Sequence, residues 1–208
     1  MTGLQRWLAS LAGTAVAATA AYLWLDRPIA LLAHANGVHQ NTFARFTHIP
    51  DPMIPLGIVC FIAVGLVAIA ARPLPKLAIA AALCGISVVM AEATKNQLKF
   101  IFGRTWPDTW TNNNPSLIHD GVYGFNPFHG GEAYASFPSG HTTVTCALVS
   151  VLWVFYPQFR AVYALAVLTV VAGLLGANYH FLSDIIAGGF VGTSTGWMTV
   201  ALWHRRQS

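Results

Sequence analysis

Charge is what this sequence most lacks: 9% of its 208 residues are Asp, Glu, Lys or Arg, where ordinary soluble domains carry roughly 25%. So few charges cannot clothe a water-facing surface. Some 55% of the residues are hydrophobic, and they gather in long uninterrupted runs. Such runs suit a bilayer, whose hydrocarbon core is about 30 Å thick, and a soluble core does not require them. Cysteine is scarce too. Cys60, Cys84 and Cys146 lie within apolar runs, odd in number and without CxxC spacing, which argues against a disulfide framework and a zinc site and leaves packing as their role. The net charge of +4 raises the question of nucleic acid. The basic residues, however, are scattered or sit at helix ends, not in a stripe interleaved with aromatics, so no nucleic-acid partner is expected. No internal repeat, low-complexity tract or heptad occurs, and residues 1–208 read as one membrane domain.

Six spans are predicted, over Trp7–Leu25, Met53–Ala71, Leu77–Phe102, Ser139–Phe155, Ala161–Ala177 and Ile185–Trp203. An even number puts both termini on one side. Arg6, Arg72 with Lys76, Arg160, and Arg205 with Arg206 occupy that side's ends and short loops, which the positive-inside rule makes the cytoplasm. All seven acidic residues, from Asp26 to Asp184, fall toward the other side. The long connections Asp26–Pro52 and Gly103–Pro138 are therefore expected outside the cytoplasm. The first run, with its basic start and small residues, has two readings, a cleaved signal peptide or a retained helix. Its continuation through Tyr22–Leu25 favours retention. Segment Ile29–Phe46, with His34 and His39, reads either as an interfacial amphipathic helix or as an irregular loop. Gly188, Gly192 and Gly196 form a small-residue stripe that lets a neighbouring helix approach closely.

Polar groups are costly near a bilayer, so their clustering at one end of several spans points to function. At the outer end of the third span stand Glu92, Lys95, Lys99, Arg104 and Trp106-Pro107. Lys95 and Lys99 share a helix face. Snorkelling to the interface accounts for them, and so does an anion site in which an Arg fork grips two oxygens. Ser136-Phe137-Pro138-Ser139-Gly140-His141 precedes an apolar run. It reads as a helix cap, and equally as an anion site at a helix N-terminus with His141 as a proton donor. His180 and Asp184 lie four apart between the last two spans. Either Ser183 or Asp184 caps the helix and His180 is an interfacial aromatic, or the Asp184 carboxylate holds the imidazole in one tautomer and leaves the other nitrogen free to attack. Taken together, cations, a Ser-Gly-His helix start and a His with its Asp supply what in-line phosphoryl transfer needs.

These residues resemble the type 2 phosphatidic acid phosphatase superfamily, which also includes glucose-6-phosphatase and vanadium haloperoxidases. Pro-Ser-Gly-His is complete at Pro138–His141, His180 and Asp184 match the family's His-x-x-x-Asp, and Lys99 and Pro107 fit its first signature. Two family arginines are absent, because Trp106 holds one position and Gly173-Leu174 stands where Ser-Arg is usual. The resemblance implies an all-α, six-helix integral membrane bundle with both termini cytoplasmic and a signature-bearing core over about residues 92–203. It implies a phosphatase in the cell's inner membrane with its site on the extracytoplasmic side and a lipid phosphate as substrate. Within that site His180 would attack phosphorus to give a phosphohistidine, Asp184 would orient it, and His141 would protonate the leaving oxygen and then activate water. Lys99, Arg104, Ser139 and Gly140 would hold the phosphoryl oxygens, with Trp106 and Asn178 as further pocket residues. No metal or cofactor is implied. Fewer cations should weaken a doubly charged monoester or shift preference to a diphosphate or diester. A phosphotransferase would use the same residues, and only product analysis separates it. A transporter or assembly protein would need ionisable residues deep in several spans, whereas here they sit near one end.

Overall fold

A computed structural model describes residues 2–36, 40–47, 51–69, 74–110 and 113–205. Among these residues the chain is all helical, with isolated β-bridges and no strand. Helix α1 (Gly3–Ala20) runs through a π-turn, Ala21–Leu25, into α2 (Asp26–Ala35). There follow α3 (Gln40–Thr47), α4 (Met53–Ile69), α5 (Lys76–Phe102), the short α6 (Leu117–Asp120), α7 (Gly140–Phe155), α8 (Arg160–Gly176) and α9 (Leu182–Arg205). Segments Gly3–Ala35, Lys76–Phe102, Pro157–Gly176 and Leu182–Arg205 are long and apolar enough to cross a membrane; α4 and α7 are apolar but shorter, at 17 and 16 residues. This is a multi-pass membrane protein. Arg72, His39, Ala71 and Arg206 lie outside the described residues.

The longest of these helices shows how its sequence sets its limits. Pro75 precedes α5 in extended conformation, and Gly103 follows it at φ 56°, the left-handed cap glycine adopts without a Cβ penalty. Its N–H donates to the Lys99 carbonyl at 2.8 Å. Large apolar side chains such as Leu56, Ile62, Leu77, Leu165, Leu168 and Met198 point outward, while Ser87, Thr143, Thr145 and Ser150 are buried between helices. Lipid tails are as apolar as leucine, so the interior is selected for close approach and hydrogen bonding over oiliness. Ser87 Oγ accordingly donates to the Ala147 carbonyl across α5 and α7 at 3.1 Å.

The glycine stripe of α9 packs on α7. A Cβ at Gly192 would lie 2.1 Å from the Thr143 carbonyl oxygen, and Gly188 and Gly196 are similarly close to Ser139 and Ser150. At Gly189, one residue off the stripe, the nearest atom is 3.9 Å away. Gly192→Ala is therefore expected to lower stability by about 1–3 kcal/mol, with Gly189→Ala near neutral, when thermal unfolding of the two detergent-solubilised variants is compared.

The segment from Ile29 to Phe46 resolves into the end of α2 and α3. Phe46 and Phe43 of α3 pack on Gly173 and Gly176 of α8, so α3 is seated on the bundle. All three cysteines are free, with Cys84 and Cys146 buried. The connection 103–139 is tied into a cap over one end of the bundle. Within it Arg104, Thr105 and Trp106 make backbone hydrogen bonds to Ser136, Gly124, Pro115 and Leu117. That end also holds the end of α8 and the starts of α7 and α9, the last two joined by Ser139 N–H donating to the Asp184 carbonyl at 3.0 Å.

Candidate active site

A cavity of about 500 Å³ opens at this end. Lys95 and Lys99 reach it from the last turns of α5, Gly140 and His141 from the first turn of α7, and His180 from the turn between α8 and α9. Asp51, Trp106, Trp110, Glu132 and Tyr179 complete its polar and aromatic wall.

Helix α7 begins at the cavity. Ser139 caps it, its Oγ accepting from Thr142 N at 3.4 Å and from Thr142 Oγ1 at 3.1 Å, and the buried hydroxyl does not line the cavity. Gly140 does. A Cβ on it would sit 2.9 Å from Lys95 Nζ, so the bare glycine lets an ammonium lie against the start of the helix, where the dipole is positive. That ammonium also pairs with Glu92 Oε1 at 2.8 Å, which offsets part of the repulsion. Lys99 Nζ donates to the Ala135 carbonyl at 2.6 Å and lies 5.6 Å over the Trp106 ring.

The two histidines face one another, with ring centroids 6.3 Å apart. His141 Nε2 lies 3.7 Å from Asp51 Oδ1, beyond hydrogen-bond range. His180 is buried, and its Nδ1 lies 3.4 Å from Asp184 Oδ2 without a well-aligned hydrogen bond. Burial pushes the His180 imidazole below its ordinary range, against the pull of Asp184, so it is neutral at neutral pH. With Nδ1 turned to the carboxylate, Nε2 is the nitrogen left for chemistry.

Asp184 is held from several sides. Its Oδ2 accepts from Ser136 Oγ at 2.7 Å and from Phe181 N at 3.0 Å, and its Oδ1 pairs with Arg104. Arg104 is fully buried and does not line the cavity. The sequence places it in a phosphate clamp; here its guanidinium is spent on Asp184, on Ser183 Oγ at 2.5 Å and on Asp26 Oδ2 at 2.8 Å. Burial works against its charge, but Asp184 and Asp26 more than offset this and hold Arg104 above its ordinary range. Rings of Phe181, Phe125, Tyr22 and Tyr123 surround it at 4.4–5.4 Å. Asp26, the first residue after the π-turn, also accepts from Ser183 N at 2.9 Å and Tyr123 OH at 3.2 Å.

Asn178 likewise stands outside the cavity. It adopts a left-handed backbone at φ 55° and donates through Nδ2 to the Ala30 carbonyl at 3.0 Å, so it fastens the turn to α2. Trp106 does line the cavity, its Nε1 donating to the Glu132 carbonyl at 2.7 Å and its ring 5.1 Å from that of His180. Leu174 is buried against Val170 and Ile185, so hydrophobic core occupies that absent-arginine position. Thus Lys99, Gly140, His141, His180 and Trp106 meet around one space, Asp184 and Arg104 stand behind it, and Ser139 and Asn178 fasten its frame. The sequence reading gave Asp26, Trp110 and Tyr179 no individual role, and Ser183 only that of a helix cap. Asp26 carries one available signal, an acid abutting an apolar run in a chain with few acids. Among the described residues no group of three or more His, Cys, Asp or Glu gathers to hold a metal.

Comparison with known proteins follows the same line. The family model of the PAP2 superfamily matches residues 74–208. The lipid A 1-phosphatase of Rhizobium etli is 31% identical over 115 residues, covering 55% of this chain and 45% of that protein. That of Rhizobium johnstonii is 30% identical over 120 residues, covering 57% and 46%. The chain thus spans under half the length of these relatives. A solved structure, the transmembrane PAP2 type phosphatidylglycerolphosphate phosphatase of Bacillus subtilis, superposes with a TM-score of 0.60 at 15% identity over 96% of both chains, a likeness of fold.

Proposed function

Because the chain belongs to the PAP2 superfamily, we propose that it is a membrane phosphatase that hydrolyses the phosphate ester of a lipid through a phosphohistidine. The observation that carries this is the pair His180 and His141, facing across 6.3 Å in a cavity that also holds two lysines. In the first step His180 Nε2 attacks phosphorus, a P–N bond forms, the P–O ester bond breaks, and His141, protonated while the phosphate anion lies beside it, gives its proton to the departing oxygen. In the second step neutral His141 takes a proton from water, the oxygen attacks phosphorus, and the P–N bond breaks to release phosphate and restore His180. Lys99 and Lys95, with the Gly140 end of α7, stabilise charge on the phosphoryl oxygens. Lys95 takes the place in the clamp that the sequence reading gave to Arg104, while Arg104 positions Asp184.

The same reading takes α1, α4, α5, α7, α8 and α9 as six spans and treats residues 1–208 as one domain. It puts both termini in the cytoplasm and the site outside the inner membrane. Support comes from charge: Lys76 and Arg160 flank the ends of α5, α7 and α8 opposite the cavity, resting over Tyr156 and Trp153 at 5.0 and 5.2 Å, as the positive-inside rule requires of a cytoplasmic face.

Purified protein in detergent is expected to release inorganic phosphate from lipid phosphates such as phosphatidic acid; no release across a panel of lipid monophosphates and diphosphates would overturn the proposal. The pH profile follows from His180, which attacks only when neutral. Lowering pH through its pKa removes the nucleophile, and burial has lowered that pKa. The acid limb of kcat/KM is therefore expected below the ordinary histidine value of about 6.5.

A further inference from the structure

Resting on that reading, we propose that Glu92 is a positioning residue that draws Lys95 back from the phosphate, so that the inorganic phosphate left by turnover is released from the cavity. The two cations of the clamp are held in different ways. Lys99 meets a neutral carbonyl and an aromatic ring and keeps its whole charge for the ligand. Lys95 stands between two sites. Its Nζ pairs with Glu92 Oε1 at 2.8 Å and lies 2.9 Å from where a Gly140 Cβ would stand, against the helix start that the mechanism gives to the phosphoryl oxygens.

Glu92 is costly where it stands. It lies well down α5 from the end at Phe102, about 15 Å at 1.5 Å of rise per residue, and a carboxylate within a span is a functional group by default. Lysine snorkelling does not require an acid one turn deeper. Glu92 does not line the cavity, so it touches no substrate and acts through Lys95. Its Oε2 is buried with no hydrogen-bond partner among the described residues. Burial leaves that charge poorly screened, and it acts strongly across a few ångströms. The pair's task follows from charge. A doubly charged phosphate between two unopposed ammoniums and a helix start would be gripped as firmly after the reaction as before it, and uniform binding of that kind does not speed turnover. With Glu92 behind Lys95, carboxylate and phosphate compete for one ammonium. The hold on the product is thereby weakened.

The test measures binding of inorganic phosphate to the purified full chain in detergent, as inhibition of lipid phosphate hydrolysis and as the rise of melting temperature with phosphate concentration. Glu92→Gln keeps the side chain's length and an acceptor oxygen for Lys95 and removes only the charge. It is expected to bind phosphate about tenfold more tightly than wild type. A tether that merely held Lys95 in place would act in the opposite sense, so unchanged or weaker binding in Glu92→Gln overturns the proposal. Should Glu92→Gln fail to fold, Lys95→Met decides. Phosphate then meets Glu92 with no cation between them, and binding is expected to weaken about tenfold or more; unchanged binding overturns the proposal. The melting measurement needs no turnover. Release from no lipid phosphate at all would therefore remove the phosphatase reading, while the difference between wild type and Glu92→Gln still decides the role of Glu92.

Discussion

Replacing His180 with alanine is expected to lower phosphate release by three orders of magnitude or more, roughly the scale on which loss of a covalent nucleophile is felt. The side chain is buried beside the Trp106 ring, so truncation leaves a cavity and some stability is lost with it. His180→Gln fills more of that space without supplying a nucleophile and should melt closer to wild type, so equal loss of activity in both variants separates lost chemistry from lost fold. Rapid quenching of the wild type with phosphate-labelled lipid should trap an acid-labile, base-stable phosphoenzyme. The label should be missing from His180→Ala and should be both gained and lost more slowly in His141→Ala, which lacks the acid of the first step and the base of the second. Turnover undiminished in His180→Ala, or label retained there, would remove the mechanism.

Arg104→Met is expected to be the most destabilising single change at this end of the molecule. The guanidinium sits between two carboxylates, all three side chains fully buried. Removing the cation leaves Asp26 and Asp184 close together with no counter-charge, and breaking a buried pair in this way costs about 3–5 kcal/mol. Lysine should not rescue it, since one ammonium cannot reproduce the separate bonds made by the two terminal nitrogens. Adding Asp26→Asn to Arg104→Met removes one of the stranded charges, so the double variant should be less destabilised than the two single losses added together. Thermal unfolding in detergent measures all of these. Strict additivity would show that the three side chains do not act as one unit.

Some of this was open to reading in the sequence and some was closed to it, for reasons that differ by residue. Pro138–His141 and His180 with Asp184 were legible because both follow from short-range geometry: a helix start exposes its first turn, and a spacing of four holds an acid near an imidazole. Lys99 was legible as a cation at a helix end. Arg104 was not, because its role depends on Asp26, 78 residues earlier in the chain, and a local pattern cannot report a partner that distant. The Ser139 hydroxyl illustrates the opposite case. Capping and anion binding share one signature, and the structure shows it capping. Asn178 was drawn into the pocket by nearness to His180, yet its left-handed backbone turns it toward α2. Trp110 and Tyr179 left no sequence signal apart from being aromatic beside a site. Apolar runs located helices well, since length and hydropathy are properties of the segment itself. They did not mark where α1 would pass through a π-turn to deliver Asp26.

The seam between α7 and α9 has a mechanical meaning for a protein living in a fluid sheet. His141 rides on one helix, His180 sits at the threshold of the other, and glycines bring the two backbones nearly into contact while the Ser139 to Asp184 bond pins their outer ends. The pair behaves as a caliper with its jaws locked. When bilayer thickness changes, spanning helices respond by tilting, and a locked pair tilts as one body. The gap between the jaws is then set by the protein and not by the lipid, so the spacing of the two imidazoles stays constant as membrane composition drifts.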